Sequence, residues 1–285
     1  MADYLHGAYG QIQAVGTKVA IKSQNAIVYV GTAPVHTVAG GAANVNRPIL
    51  VTNIAEARKH FGYSDEWDKY TLCEAMHAHL ENKAVGPLVL INVLDPATHK
   101  AAEAGTANLT PENGRVTIAN AGDIILDTVA VTGKTKGTDY TVQYDFKKKL
   151  LTIAEITSGG LGTEALTITY NSIDATAVDA DDVIGATDGA GLNTGLFAIK
   201  NVYQETGFIP SFLLAPGFSS IPAVHSAIIQ NSQKVNSHWD VYVMADIPIV
   251  DEEDEKITLA TAATWKNANG YNKSNETVYF PLVKG

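Results

Sequence analysis

The segment ETGFIPSFLLAPGFSSIP, residues 205–222, gives the clearest indication of how this chain folds. Its middle part, Ser211–Ala215, is short and apolar, which predicts a buried strand. The pair Pro216-Gly217 favours a turn directly after that strand. Pro222 suits the first position of a helix, which we expect to run to about Val235. The segment therefore predicts a strand, a turn and a helix in succession.

The N-terminal half predicts a similar alternation. Apolar runs at Ala26–Val30 and Leu88–Val93 predict strands that are buried on both faces. Between them we expect a helix over Ile54–Phe61, with Asn53 as its N-cap and Gly62 as its end. A second helix, from near Ser64–Asp65, is predicted by apolar residues that recur every three or four positions: Trp67, Tyr70, Cys73, Met76 and Leu80. Strands that alternate with helices indicate an α/β unit with a parallel sheet.

Short alternating runs replace the helical period between about Asn108 and Asp174. They predict five strands, at Arg115–Ile118, Ile124–Val131, Tyr140–Asp145, Leu150–Ile156 and Leu166–Tyr170. Turn signals such as Asn113-Gly114 and Gly159-Gly160 separate these runs. Strands of this number and spacing indicate a small β-sandwich or barrel. It is an insertion, because the α/β pattern resumes after it.

The resumed pattern begins after an acidic, Gly-rich loop at 174–190. A helix is predicted over Leu192–Thr206, and strands are predicted at Val241–Ala245 and Thr277–Leu282. On the inward face of that helix we expect Leu196, Ile199, Val202 and Tyr203. The predicted fold class is α/β (α+β overall), with a mainly parallel sheet flanked by helices and an inserted all-β sandwich domain.

These patterns divide the chain into an extended N-terminal arm at 1–24, a discontinuous α/β core at 25–107 and 175–285, and the inserted β-sandwich at 108–174. The arm is small, polar and punctuated by glycine, which suits it to pairing with the strand edge of another chain. Because the chain ends at Gly285 directly after a predicted strand, we interpret that end as a truncation.

Composition excludes several functional classes. The net charge is −10, and the 20 Lys and Arg residues are spread along the chain, so nucleic acid is not expected as a direct partner. No apolar run approaches the length of a membrane span, and residues 1–4 lack the pattern of a secretory signal. The single cysteine, Cys73, excludes an intrachain disulfide and is expected to be a small core residue.

A search for catalytic residues finds one weak candidate. Gly217-Phe218-Ser219 resembles half of a nucleophile elbow, but Ile221 stands where that motif needs glycine. Ser219 with His225 is the only plausible beginning of a Ser–His–Asp arrangement. We expect Ser219 or Ser220 to cap the following helix instead, and His225 to be structural, so no catalytic residue is predicted.

No metal or cofactor site is predicted either. His77 and His79 are two residues apart, whereas metal-binding histidines on a helix need a spacing of four. We expect His77 to be a core residue and His79 a surface residue. The acidic run Asp251–Glu255 lacks the spacers of a calcium loop and is expected to be a solvated face or a helix N-terminus. The glycines of Gly159–Gly162 and Gly40-Gly41 do not link a strand to a helix, as a phosphate cradle requires.

The segment at 205–224 resembles the signature of contractile tail sheath proteins. In that family a strand that ends in APG is followed by a serine and by a helix that begins near PAV, as at Ala215–Gly217 and Pro222–Val224. A D-x-P motif follows, matched by Asp246–Pro248, and then a YFP strand, matched by Thr277–Pro281. The helix entry at Val51–Asn53, the stop at Phe61-Gly62 and the inserted β-sandwich are also similar to the family.

The resemblance implies a subtilisin-like topology without protease activity, and a mechanical role with no cofactor. Such a protein polymerises with itself into hexameric rings that stack helically around a tail tube protein, between a baseplate and a tail terminator. Contraction of the sheath drives the tube through a cell envelope for genome ejection. The resemblance also implies a virion protein of a phage or prophage, made in the host cytoplasm. The C-terminal domain usual in the family is expected to be absent after Gly285.

Two other functions remain open. One is an enzyme with a subtilisin-like or hydrolase-like core, built on Ser219 and His225. The other is an adhesin-like binding module in the inserted β-domain, which would need exposed aromatic residues. The aromatic residues available there are Tyr140, Tyr144, Phe146 and Tyr170, and alternation predicts that at least half of them are buried.

Overall fold

The computed structural model describes residues 24–251 and 253–280, and twelve strands lie in these two ranges. They are β1 (Asn25–Gly31), β2 (Ile49–Val51), β3 (Leu88–Asn92), β4 (Gly105–Leu109), β5 (Arg115–Ala119), β6 (Ala130–Val131), β7 (Tyr140–Asp145), β8 (Leu150–Glu155), β9 (Leu166–Tyr170), β10 (Ile209–Leu214), β11 (Tyr242–Asp246) and β12 (Glu276–Tyr279). Six strands form one sheet in the order β12-β11-β10-β1-β3-β2. All its pairs are parallel except that of β2 with β3.

Six α-helices accompany these strands in the described ranges. They are α1 (Ile54–Phe61), α2 (Thr71–Ala75), α3 (Ala180–Ile184), α4 (Val202–Thr206), α5 (Pro222–Ser232) and α6 (Leu259–Ala268). A π-helix at Met76–Asn82 continues α2, and a 3₁₀-helix at Gly195–Asn201 precedes α4. The predicted mixture of helices with a mainly parallel sheet is therefore confirmed. None of the helices in this part of the chain is long and apolar enough to cross a bilayer.

The centre of the six-stranded sheet is fully apolar. Val28 and Val30 in β1 and all of Leu88–Ile91 in β3 are almost completely buried. Both strands have neighbours on each side within the sheet, and consecutive residues in a strand face opposite sides. The unbroken apolar runs that predicted these strands therefore reflect burial on both faces of the sheet.

The predicted ends of α1 are confirmed. The side chain of Asn53 accepts a hydrogen bond from the backbone N–H of Glu56, and Gly62 ends the helix at φ +72°. The next helix was predicted to begin near Ser64–Asp65, and that start is wrong. The helix begins at Thr71, because the Thr71 N–H donates to the side-chain oxygen of Thr32 and fixes the first turn there.

Two three-stranded antiparallel sheets, β4-β9-β6 and β5-β8-β7, lie between β3 and β10 in the sequence. We call residues 105–170 the β-module. Its interior is a separate apolar cluster made of Val116, Ala121, Ile124, Leu126, Val129, Val131, Tyr140, Leu151, Ile153, Leu161, Leu166 and Ile168. The predicted strands Tyr140–Asp145 and Leu166–Tyr170 have the observed bounds.

Two predictions in this region are wrong. Strand β4 was missed, because its sequence GTANL offers only Leu109 as a large apolar residue. The predicted strand Ile124–Val131 is mostly not a strand: Leu126–Thr128 form a 3₁₀ turn and only Ala130–Val131 pair in a sheet. The hydroxyl of Thr128 donates to the carbonyl of Ile125, which stabilises this turn.

Later elements differ from prediction at their ends. The helix predicted over Leu192–Thr206 starts only at Gly195, and its first seven residues are 3₁₀. Leu196, Ile199 and Val202 are buried as expected, but Tyr203 is 46% exposed beside the ring of Trp239. Helix α5 ends at Ser232, before the predicted Val235. Apart from Gln24, the predicted arm at 1–24 lies outside the described residues, as does the predicted end of the last strand at Leu282.

Candidate functional site

The corner between β10 and α5 contains the only catalytic candidates that the sequence offered. After β10 the chain turns through Pro216 and Gly217, and the N–H groups of Phe218 and Ser219 both donate to the carbonyl of Ala215. Gly217 has φ +80°, and a Cβ at this position would lie 2.7 Å from the methyl group of Thr71. The turn therefore needs glycine for its backbone angle and for the space.

The predicted capping of α5 by a serine is wrong. Pro222 is the first helical residue, so the N-cap position belongs to Ile221, which has no side-chain oxygen. The hydroxyl of Ser219 donates to the carboxylate of Asp246 over 3.3 Å, and its oxygen accepts from the Asp246 N–H over 3.1 Å. Ser219, which is buried, therefore fastens the corner to the end of β11.

His225 lies on the first turn of α5 and forms a second buried pair. Its Nε2 lies 2.6 Å from a carboxyl oxygen of Glu276, and both side chains are 2% exposed. Its ring stacks on Tyr271, with centroids 3.6 Å apart and planes 11° apart. Burial lowers the pKa of His225 below its ordinary value, against the opposing effect of Glu276. At neutral pH the imidazole is therefore uncharged and donates its Nε2–H to Glu276.

Tyr271 connects the two pairs, because its hydroxyl donates to the backbone carbonyl of Ser219 over 2.9 Å. We call Ser219, His225, Asp246, Tyr271 and Glu276 the corner network. It joins the loop after β10, helix α5, strand β11 and the edge strand β12. The role of Tyr271 and Glu276 had no signal in the sequence, since neither belongs to a motif.

The corner network does not have the arrangement of a hydrolytic triad. In a triad the imidazole accepts the proton of the serine hydroxyl, and a carboxylate holds the other ring nitrogen. Here Ser219 and His225 bind different carboxyl groups. Burial raises the pKa of Asp246, against the opposing hydrogen bond from Ser219. A cavity of about 130 Å³ adjoins this carboxylate and is otherwise lined mostly by apolar atoms, including those of Leu214 and Met244. This geometry holds the corner in place and does not activate the Ser219 hydroxyl.

The other histidine candidates have local partners. His77 pairs with Glu81 over 3.0 Å and its side chain is 32% exposed, so the prediction of a core residue is wrong. His79 binds the hydroxyl of Tyr29 in β1 over 2.8 Å, so the prediction of a surface residue is wrong. This contact joins residues 50 positions apart in the sequence, which no local pattern indicates.

The acidic run and the cysteine that the sequence analysis considered and did not assign to a metal form an ordinary turn and a core contact. The carboxylate of Asp251 accepts the N–H groups of Glu253 and Glu255, so this acidic run closes a turn on itself. No group of three or more His, Cys, Asp or Glu side chains in residues 24–251 and 253–280 is placed to hold a metal. Cys73 is buried, which raises the pKa of its thiol to about 12 and makes it a core residue, as predicted.

The aromatic residues of the β-module do not form an exposed patch. Tyr140 is buried, and Tyr144, Phe146 and Tyr170 are each partly buried. Phe146 packs edge-on against Tyr63, with centroids 5.4 Å apart. These positions give the adhesin alternative no exposed aromatic surface within the described β-module.

An open strand edge and an apolar surface lie near the corner network. Among the described residues, strand β12 is the outermost strand of the six-stranded sheet, and its outer edge is open. The carbonyl of Asn275 accepts from Val243 in β11, and that of Tyr279 accepts from Ile247 directly after β11. Alternate residues such as Val278 therefore direct their backbone groups toward the open edge. Five large apolar residues between positions 221 and 279 are at least one-third exposed: Ile221, Ile249, Val250, Leu259 and Tyr279. An open edge next to exposed apolar side chains is typical of a contact surface.

Comparison with known proteins gives one informative match. The chain is 29% identical, over 293 aligned positions, to the tail sheath protein of Burkholderia phage BcepMu. The alignment covers 99% of this chain and 57% of the relative, so the chain spans a little more than half of the relative's length. No family model matches the chain. The resemblance to the phage tail sheath proteins, predicted from the segment at 205–224 and the motifs after it, is therefore confirmed.

Proposed function

We propose that this chain is a structural, non-enzymatic subunit of a contractile phage tail sheath, which polymerises around a tail tube and contracts to drive the tube through a cell envelope. The observation that carries the proposal is the similarity to a phage tail sheath protein along 99% of the chain. The separate Ser219–Asp246 and His225–Glu276 pairs agree with a mechanical role, because they stiffen a corner rather than activate a hydroxyl.

Contraction of a sheath is a repacking of rigid subunits, which requires stiff bodies and interfaces that reform. We propose that the stiff bodies are the α/β core at 25–107 and 175–285, with a subtilisin-like topology, and an inserted sandwich at 108–174. The six-stranded sheet and the pair of small sheets support this division, since the pair shares an apolar cluster separate from that of the six-stranded sheet. The proposed driving force is better subunit contact in the contracted state, without nucleotide.

The proposed partners are other copies of the chain in stacked rings, the tail tube protein, the baseplate and the tail terminator. The arm predicted at 1–24 would link copies by adding to an open strand edge of a neighbour, for which β12 is the best candidate. The protein would be made in the host cytoplasm and would reside in the virion tail.

Deletion of residues 1–24 tests the linking role. The complete gene product and its deletion variant would be compared by sedimentation velocity and by circular dichroism. We expect large assemblies from the complete protein, and folded but unassembled subunits from the variant. Equal assembly by the two would contradict the role of the arm, and the absence of large particles from both would contradict the sheath function.

A further inference from the structure

Strands β10, β11 and β12 have one face that the described residues cover fully and one that they cover only in part. On the first face, where α5 packs, Leu213, Val243 and Ala245 are at most 1% exposed. Six residues of the three strands point to the second face, which we call the open face: Phe212, Leu214, Tyr242, Met244, Thr277 and Tyr279. All six are at least partly exposed. Because parallel sheets are normally buried on both faces, the open face is expected to contact a partner.

The cavity beside Asp246 lies at the C-terminal end of the open face. Leu214, Met244 and Tyr279 of that face line it. Asp246 follows Met244 by two positions, so its carboxylate lies on the same face. The cavity volume is about 130 Å³, whereas one water molecule needs only about 10–15 Å³. A carboxylate between apolar walls fits a side chain that combines an aliphatic stem with a positive charge, as lysine does.

The N-terminal arm predicted from the sequence contains such side chains in a regular order. Within residues 17–22, Lys18 and Lys22 fall on one face of an extended chain, and Val19 and Ile21 fall on the other. The arm therefore has a basic face and an apolar face over these residues.

Strand β12 has a matching division between its two faces. Tyr279 is in register with Asp246 and lies on the open face. Val278 lies on the opposite face and packs against an apolar cluster that contains Ile247, with Trp265 at its margin. A strand added to the outer edge of β12 can thus direct its lysines to the Asp246 side and its apolar residues to the side of this cluster.

We propose that the cavity at Asp246 binds the ammonium group of Lys18 or Lys22 from the arm of a second copy of this chain. The proposal rests on the proposed sheath function, in which the arm adds to the edge of β12. Since neighbouring strands lie about 4.8 Å apart, the added strand would lie about 10 Å from β11. A lysine side chain crosses this gap along the ring of Tyr279 and meets the carboxylate. The ion pair anchors the arm and fixes its register.

The length of the arm requires that it come from another copy. Tyr279 is level with Gly31, six residues beyond Asn25 at the start of β1, which is about 20 Å along the strands. The added strand would also lie four strand spacings from β1, about 19 Å, so the distance from Asn25 is about 28 Å. Lys18 of the same chain is seven residues before Asn25 and reaches about 25 Å at most, and Lys22 reaches about 11 Å.

A double-mutant cycle in the complete protein tests the pairing by sedimentation velocity. Lys18→Gln combined with Lys22→Gln removes the basic charges, and Asp246→Asn removes the carboxylate charge with little change in shape. We expect each change to raise the concentration needed for assembly about tenfold, and all three together to have no larger effect. Lys147→Gln combined with Lys148→Gln removes the same charge from an exposed turn and should leave assembly unchanged.

The outcomes separate this site from the sheath function. Additive losses, or normal assembly by Asp246→Asn, would overturn the proposal while assembly of the wild-type protein upholds the sheath function. A wild-type protein that does not assemble would contradict both.

Cysteine cross-linking with a bismaleimide gives a second readout that keeps Asp246 and both lysines intact. Cys73 is buried, so introduced cysteines react selectively. Ala20→Cys with Tyr279→Cys should yield covalently linked dimers and larger oligomers from the assembled protein. Ala20→Cys with Tyr203→Cys, which places the second cysteine at a similarly exposed tyrosine on α4, should not. Links within single chains alone, or no links from assembled protein, would overturn the proposal.

Discussion

The Nε2 of His225 and a carboxyl oxygen of Glu276 lie 2.6 Å apart in the interior, and this contact joins helix α5 to the edge strand β12. The two residues are 51 positions apart in the sequence. A second carboxyl oxygen of Glu276 accepts the backbone N–H of Lys273, so both oxygens are used. The edge of the sheet is therefore held by side chains as well as by strand pairing.

Replacement of His225 should destabilise the protein more than replacement of its partner. His225→Phe keeps the stacking on Tyr271 but removes the imidazole N–H that donates to the buried carboxyl group of Glu276. We expect the free energy of unfolding to fall by about 3–5 kcal/mol. Glu276→Gln keeps an acceptor for the imidazole N–H and should cost roughly 1 kcal/mol. Urea unfolding measures both changes. A His225→Phe variant within about 0.5 kcal/mol of wild type would show that the pair does not hold the edge.

Burial lowers the pKa of His36 and keeps its ring neutral at pH 7, which predicts a pH dependence of stability. Its pKa is about 4 in the folded protein, below its ordinary value of 6.5, so between these values the folded protein binds fewer protons than the unfolded chain. Stability should therefore be complete above about pH 6.5 and should fall as the pH decreases toward 4. The difference between the two pKa values corresponds to about 3 kcal/mol.

His79 and His225 also have lowered pKa values, so they make stability fall in the same pH range. Comparison of the wild-type protein with His36→Gln isolates the contribution of His36. Glutamine can still donate to the carbonyl oxygen of Gly122, as the Nε2 of His36 does over 2.8 Å, but does not titrate. Unfolding midpoints in urea, measured from pH 4 to pH 7, should fall less steeply for the variant. Parallel curves for the two proteins would rule out His36 as a source of the acid sensitivity.

The sequence predicted the elements that depend on neighbouring residues. The cap at Asn53, the stop at Gly62 and the strand Tyr140–Asp145 depend on local backbone chemistry or on alternation, and each was found as predicted. The apolar runs of β1 and β3 were clear because burial on both faces leaves no polar positions.

What the sequence could not show depends on contacts between distant residues. Ser219 or Ser220 was predicted to cap a helix, because no local pattern showed that Asp246, 27 residues away, binds the Ser219 hydroxyl. The strand β4 has little apolar character, and it is recognisable only from its pairing with β9. The pairing of His225 with Glu276 likewise depends on where β12 joins the sheet, which no local pattern specifies.

Replacing Gly217 with alanine should lower the free energy of unfolding more than the same replacement at Gly133, a glycine with a similar backbone angle. Both Gly217→Ala and Gly133→Ala place a side chain at positive φ, which costs about 1–2 kcal/mol. At Gly133 nothing lies within 4 Å of the new methyl group, whereas at Gly217 it would meet Thr71. We expect an additional cost of about 1 kcal/mol or more at Gly217, measured by urea unfolding. Equal losses would mean that the corner has room for a side chain.

The open edge of β12 can be tested without breaking its pairing with β11. Val278→Pro removes a backbone N–H that is directed away from β11, and Val278→Ala removes a similar amount of packing but keeps that N–H. If the edge pairs with another copy, the proline variant should lose assembly at concentrations where the alanine variant still assembles. Sedimentation velocity measures the difference. Indistinguishable assembly by the two folded variants would exclude this edge as a subunit contact.

The central claim is that the chain belongs to a subunit that builds a sheath, and electron microscopy of the complete gene product under assembly conditions tests it most directly. The proposed function predicts rings or striated tubes made of stacked rings. Monodisperse globular particles from a full-length, folded protein would contradict it.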